Sequence, residues 1–219
     1  MVEISTSILG TKKGEESKTF FALEVAKTDY FHIDVMDGKF VKNNTYQKMF
    51  ENASYIKRIS NLPLDIHLMV ENVKDAIDDF SAVEPNIITF HYEVCKSKEE
   101  VYKNIRYIKE GNCKVGLAVK PETKIEEIYE FLPYIHMCLV MTVEPGKGGQ
   151  TFIEETLEKV AKLKEYVKNN DIEIDIEVDG GINLATAPKA KEAGANVLVA
   201  GSAILMAKDY KVIIDELKQ

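Results

Sequence analysis

The chain has 219 residues, 45% hydrophobic and 29% charged, enough to bury one large core and short for two, so a single domain over residues 1–219 is expected. A formal net charge of -8 opposes nonspecific binding to nucleic acid, which relies on clustered Lys and Arg to neutralise phosphates. No stretch approaches the roughly 20 apolar residues of a membrane span, and the start lacks the charged-then-apolar layout of a secretory signal.

A cytoplasmic protein with no membrane partner is therefore expected. The same negative charge repels a phosphorylated metabolite, so an anionic ligand must be held by local features such as helix N-termini, backbone amides or a metal. Cys95, Cys113 and Cys138 are odd in number and follow no ligand spacing, and read as reduced, idle thiols.

Short β-rich apolar runs alternate with longer amphipathic stretches along the whole chain. Strands are predicted at EISTSIL from Glu3, FHIDVM from Phe31, LDIHLMV from Leu64 and NIITFHY from Asn86. Four more follow at KVGLAV from Lys114, MCLVMTV from Met137, IEIDIEVD from Ile172 and NVLVAG from Asn196. A helix is predicted over Thr151 to Asn169, where Ile153, Leu157, Val160, Leu163 and Val167 recur at roughly helical spacing. Asn169 and Gly194 mark helix ends. Eight β-α pairs in 219 residues imply a closed parallel (β/α)8 barrel, although an open doubly wound sheet shows the same alternation.

Successive side chains of a strand face opposite ways. In the second strand Phe31, Ile33 and Val35 share one face, and His32, Asp34 and Met36 the other. The third strand sets Leu64, Ile66 and Leu68 against Asp65, His67 and Met69, and the seventh sets Ile174, Ile176 and Val178 against Asp175, Glu177 and Asp179. The first contributes Ser5 and Ser7 on one face. With the apolar faces packed on helices, the polar ones point into the barrel, near the rim where such barrels carry their sites. An unpaired buried carboxylate is costly, so these groups must be hydrogen-bonded, paired or bound to a cation. Two imidazoles and two carboxylates suit one divalent ion, which makes His32, Asp34, His67 and Asp179 candidate ligands. His91 ends the fourth strand without a companion ligand two residues away and is assigned a structural role; His136, at the opposite end, is assigned none.

Met36, Met69 and Met141 lie near strand ends on the inner face, either as ordinary packing or as a dry wall of the site. After the sixth strand, EPGKGGQ brings Gly146, Gly148 and Gly149 around Lys147; DGGI follows the seventh with Gly180 and Gly181, and AGSAI the eighth with Gly201 and Ser202 at a helix start. Glycine lets backbone amides approach an anion, and the last loops of this architecture often bind phosphate.

SILG near Ser7, HIDVMDGKFV from His32, DIHLMV from Asp65, VMTVEPGKGGQ from Val140, EVDGGIN from Glu177 and AGSAI from Ala200 closely resemble the ribulose-phosphate 3-epimerase family. The resemblance spans residues 7 to 204 in family order. It implies a TIM barrel of the ribulose-phosphate-binding type, interconverting D-ribulose 5-phosphate and D-xylulose 5-phosphate. It implies Asp34 and Asp179 as acid and base, His32, Asp34, His67 and Asp179 as ligands of one divalent ion, and Ser7 and His67 as substrate contacts. Gly146 to Gly149, Gly180, Gly181, Gly201 and Ser202 match its phosphate and substrate loops. Zinc, iron, manganese and cobalt all suit the ligand set.

There are departures: Lys147 where the family has an aromatic residue, Gly10 and Thr11 where it has Ala-Asp, and Lys42 where it has Pro. Lys147 either adds a cation near the phosphate or stands as a solvated loop residue. These changes bear on substrate preference more than on chemistry. Inverting a carbon beside a ketone takes a proton from one face and returns one to the other, which two groups on either side can do. Rival readings are a 3-epimerase of a six-carbon ketose phosphate such as allulose 6-phosphate, a noncatalytic sugar-phosphate sensor, and a barrel lyase or decarboxylase, whose usual third-strand lysine DIHLMV lacks. The protein is read as a homo-oligomer of unspecified order.

Overall fold

In a computed structural model, which describes residues 2–219, eight parallel strands close on themselves in sequence order, β1 to β8, with β1 paired to β8. The strands are β1 (Glu3–Ser7), β2 (Tyr30–Met36), β3 (Leu64–Met69), β4 (Ile87–His91), β5 (Lys114–Val119), β6 (Met137–Met141), β7 (Asp175–Asp179) and β8 (Val197–Ala200). The helices are α1 (Glu16–Val25), α2 (Tyr46–Ile59), α3 (Val73–Ser81), α4 (Lys98–Glu110), α5 (Thr156–Asn169), α6 (Ala187–Ala193), α7 (Ser202–Leu205) and α8 (Tyr210–Lys218). Closure rules out the open sheet. Among the described residues, no helix is long and apolar enough to cross a membrane.

The outward strand residues Phe31, Ile33, Val35, Ile66, Leu68, Ile176 and Val178 are buried against the helical layer as their alternation predicts. α3 shows the matching helical pattern: Val73, Ala76, Ile77 and Phe80 fall on one buried stripe. Its start is set by Asn72, whose side chain accepts from the Asp75 N–H at 3.3 Å. α6 ends at Gly194, left-handed at φ 119°, and α5 ends at Asn169, both where predicted.

Two expectations need correction. The predicted helix from Thr151 begins only at Thr156, because the Ile153 N–H donates to the Thr142 carbonyl at 2.8 Å and the segment stays tied to the end of β6. Between β5 and β6 the connection is a 3-10 segment, Ile125–Tyr134, in place of an α-helix. Pro133, the next-to-last residue in it, has no backbone N–H to donate and helps to end the segment. A shorter 3-10 turn, Tyr92–Val94, follows β4.

Candidate active site

Register brings the inward polar groups together. β2 and β3 pair with Asp34 opposite His67 and His32 opposite Asp65, while β6 and β7 pair with Met141 opposite Asp179. The result is a cluster in which His32 Nε2 lies 3.4 Å from Asp34 Oδ1 and 3.9 Å from Asp179 Oδ2. His67 Nδ1 lies 3.5 Å from the same Asp34 oxygen and 3.6 Å from Asp179 Oδ2. β2 and β7 are separated by β1 and β8 round the ring, yet their carboxyl groups converge on one point.

Hydrogen bonds around the cluster orient it. Ser7 Oγ donates to Asp34 Oδ2 at 2.7 Å, leaving Oδ1 to face the histidines. Below, His32 Nδ1 meets Asp65 Oδ2 at 2.6 Å, and Ser5 Oγ donates to that same oxygen at 2.7 Å. On the far side, His67 Nε2 lies 2.9 Å from His91 Nε2, and His91 Nδ1 lies 3.1 Å from Glu93 Oε2.

Above the cluster opens a cleft of about 380 Å³. Ser7, Asp34, Asp179, Met36, Met69 and Met141 line it, as do Gly146, Lys147, Gly148 and Gly149, Gly180 and Gly181, and Gly201 and Ser202. Of the candidate catalytic, metal-binding and substrate-binding residues, His32 and His67 alone do not line it, being fully buried in its floor. The paired glycines after β7 are required sterically. Gly180 and Gly181 have φ of 122° and 69°, and a Cβ would come 2.3 Å from Val143 Cγ2 at the first and 2.7 Å from the Phe152 nitrogen at the second. The glycine loop after β6 is shaped by Gln150, whose amide donates to the carbonyls of Glu144 and Lys147 at 2.6 and 2.7 Å. α7 is a single turn of four residues, so any attraction for an anion at Gly201 and Ser202 falls to loop amides and not to a helix dipole.

Residues 3–205 match the model of the Ribulose-phosphate 3 epimerase family. This chain belongs to that family. It is 40% identical to the ribulose-phosphate 3-epimerase of Methanocaldococcus jannaschii over all of this chain and 91% of that protein. It is 38% identical to the chloroplastic ribulose-5-phosphate-3-epimerase of Arabidopsis thaliana over 98% of this chain and 75% of that protein. The 3-hexulose-6-phosphate synthase structure from Salmonella typhimurium shares the barrel, with a TM-score of 0.70 at 16% identity over 99% of this chain and 97% of that one. As a member of the family the chain is an isomerase acting on a phosphorylated ketose.

The charges of this epimerase site are unevenly set. Burial disfavours a charged His32, but the carboxylates of Asp65 and Asp34 outweigh it and hold the imidazole well above its ordinary value. Burial opposes ionisation of Asp34 too, yet His32 and His67 hold it well below the usual carboxylate range. Asp179 is pushed up to about 7 by burial and by the negative Asp34. Glu177 is raised by burial and by Asp65, and His67 is lowered chiefly by burial, so its ring is neutral with a free lone pair.

His32, Asp34, His67 and Asp179 could hold a divalent ion: their donor atoms lie within 4.8 Å of one another. His32 Nε2 and His67 Nδ1 are buried without a hydrogen-bond partner, a deficit that a bound ion would remove, with the proton of His32 displaced. Their spacings from the carboxylates fit the roughly 3.4 Å that separates ligands about 2.1 Å from a tetrahedral ion.

Asp65, Glu177 and Glu93, to which no role was assigned from sequence, and His91, which was assigned a structural one, support this site. Asp65 and Glu177 were legible by phase alone, as members of the inward faces. His91 could be found only by its ring meeting His67 across β3 and β4, and Glu93 only because the turn after β4 folds it back onto His91. The three cysteines are free.

Proposed function

We propose that the protein interconverts D-ribulose 5-phosphate and D-xylulose 5-phosphate by moving a proton on and off C3 with Asp34 and Asp179. The observation that carries this reading is the convergence of both carboxyl groups and two partnerless imidazole nitrogens on one cation-sized cluster in the cleft floor.

His32, Asp34, His67 and Asp179 are the ligands of one divalent ion, of the zinc, iron, manganese or cobalt type. Bound there, the ion supplies a Lewis acid at the ketone oxygen of the substrate. One aspartate takes the proton from its face of C3 and the other returns one to the opposite face, the roles exchanging with reaction direction. Ser7 fixes Asp34 through its 2.7 Å hydrogen bond, so that the ionised oxygen stays aimed at the site. Met36, Met69 and Met141, each almost wholly buried, keep water from the reacting carbon. Backbone amides of Gly146 to Gly149, Gly180, Gly181, Gly201 and Ser202 receive the phosphate, with Lys147 adding a cation at the cleft wall.

Relatives 38% and 40% identical carry the ribulose-phosphate name, which favours the five-carbon ketose over allulose 6-phosphate, and likewise over a lyase or a noncatalytic sensor. The test is to incubate metal-replete protein separately with ribulose 5-phosphate and allulose 6-phosphate and to follow epimer formation. Turnover of ribulose 5-phosphate is expected to dominate. Faster turnover of the six-carbon ketose would transfer the assignment to it, and turnover of neither would overturn it.

A further inference from the structure

The mechanism above makes no use of His91, a fully buried imidazole at the end of β4. Its surroundings specify where its proton sits. Glu93 Oε1 accepts from the Lys120 N–H at 2.6 Å and from the Thr123 hydroxyl, which are the contacts of an ionised carboxylate. Its other oxygen, Oε2, is 3.1 Å from His91 Nδ1, so that nitrogen must carry a hydrogen to donate. In a neutral His91 ring, Nε2 is then a bare lone pair, and it lies 2.9 Å from His67 Nε2.

Two bare nitrogens cannot face each other at that distance, so His67 Nε2 carries a hydrogen and donates it. The lone pair of His67 is thereby confined to Nδ1, the atom that looks at Asp34 and Asp179. The opposite assignment, a hydrogen on His67 Nδ1, would leave a buried donor with no hydrogen-bond partner, since that nitrogen is 3.5 Å or more from either carboxylate oxygen. The two rings meet edge to edge through this contact, with centroids 5.1 Å apart and planes at 28°, the geometry of an in-plane hydrogen bond that limits rotation of His67.

We infer that His91, set by Glu93, is a positioning residue that fixes the tautomer and ring orientation of His67 for binding a divalent ion. Outer contacts of this kind hold a ligand ring in its binding tautomer and raise its basicity. The inference rests on the reading of His67 as a metal ligand, and deepens it by extending the site to a Glu93–His91–His67 chain.

Long-range proton–nitrogen NMR of the metal-free protein reads the tautomers without any substitution. A hydrogen on Nε2 of His67 and on Nδ1 of His91 is expected; a hydrogen on Nδ1 of His67 overturns the inference. Competition with a chromophoric chelator for cobalt(II) and zinc(II) provides the second readout. His91→Phe, which keeps an aromatic ring but removes the acceptor, is expected to bind about tenfold to a hundredfold more weakly, and His91→Gln to recover part of the loss. Equal binding by the parent and His91→Phe overturns the inference while leaving the metal site standing. A parent protein that takes up neither ion overturns the metal reading and the inference with it.

Discussion

Inside the barrel the buried side chains on β1, β2, β3, β4 and β7 are mostly polar, and His32, Asp65, His67 and Glu177 each keep an atom without a hydrogen-bond partner. Between the same strands and the helices the buried residues are almost all aliphatic or aromatic, packed as in the edge-to-face contacts of Phe80 with Tyr46 and Phe50 at 5.5 and 5.6 Å. The two regions share one set of strands and differ only in which face they present. Closing the ring removes every sheet edge and lets the outer shell stabilise the molecule, which leaves the inner face free to hold groups that weaken folding but perform chemistry.

Substitutions separate the two regions. Replacing Asp179 by Asn in the interior is expected to lower turnover about 10²-fold to 10⁴-fold, equivalent to about 3–5 kcal/mol of barrier, and to abolish solvent-proton exchange at the reacting carbon. Its metal-free form should still melt cooperatively, since the exchange removes a carboxyl that burial already disfavours. Retained exchange would argue against a two-base mechanism. In the shell, Phe80→Ala is expected to cost about 3–5 kcal/mol of stability in chemical denaturation, with turnover per folded molecule unchanged. A loss of turnover without a loss of stability there would break the separation.

The smallest expected effect lies where the regions meet, at Glu93. Burial raises this carboxyl, but His91, Thr123 and the Lys120 N–H outweigh it and hold it at about 2, below its ordinary 4.5. The folded protein therefore binds fewer protons than the unfolded chain between those values, and stability falls as pH drops through that window. Glu93 contributes at most about 3 kcal/mol above the window. Glu93→Gln should lower the stability of the metal-free protein near neutral pH, and the gap to the parent should narrow as the solution is acidified. A gap independent of pH would show that Glu93 acts through packing alone.

Much of this was legible without a fold. Alternation within HIDVM, DIHLM and DIEVD set the polar residues on one face of each strand, because the two-residue repeat of a strand is a local property. The glycine loops were legible too, since positive φ at Gly180 and Gly181 is a demand that glycine meets without strain. Boundaries were less so: Thr151 to Glu155 have a helical pattern but are held out of α5 by a backbone bond to Thr142, a partner distant in sequence. Pro133 was visible, but the 3-10 form of its segment was not read from it.

By itself, then, the sequence determined which residues could share a face, which loops could admit an anion and which family the chain resembles. The tertiary structure alone decided that Asp34 and Asp179 converge from strands separated by two others, and that His91 and Glu93 stand behind His67. The physical reason is one of range. Strand phase and backbone conformation are set by neighbours along the chain, whereas contacts across the barrel depend on register and closure, which involve every strand at once.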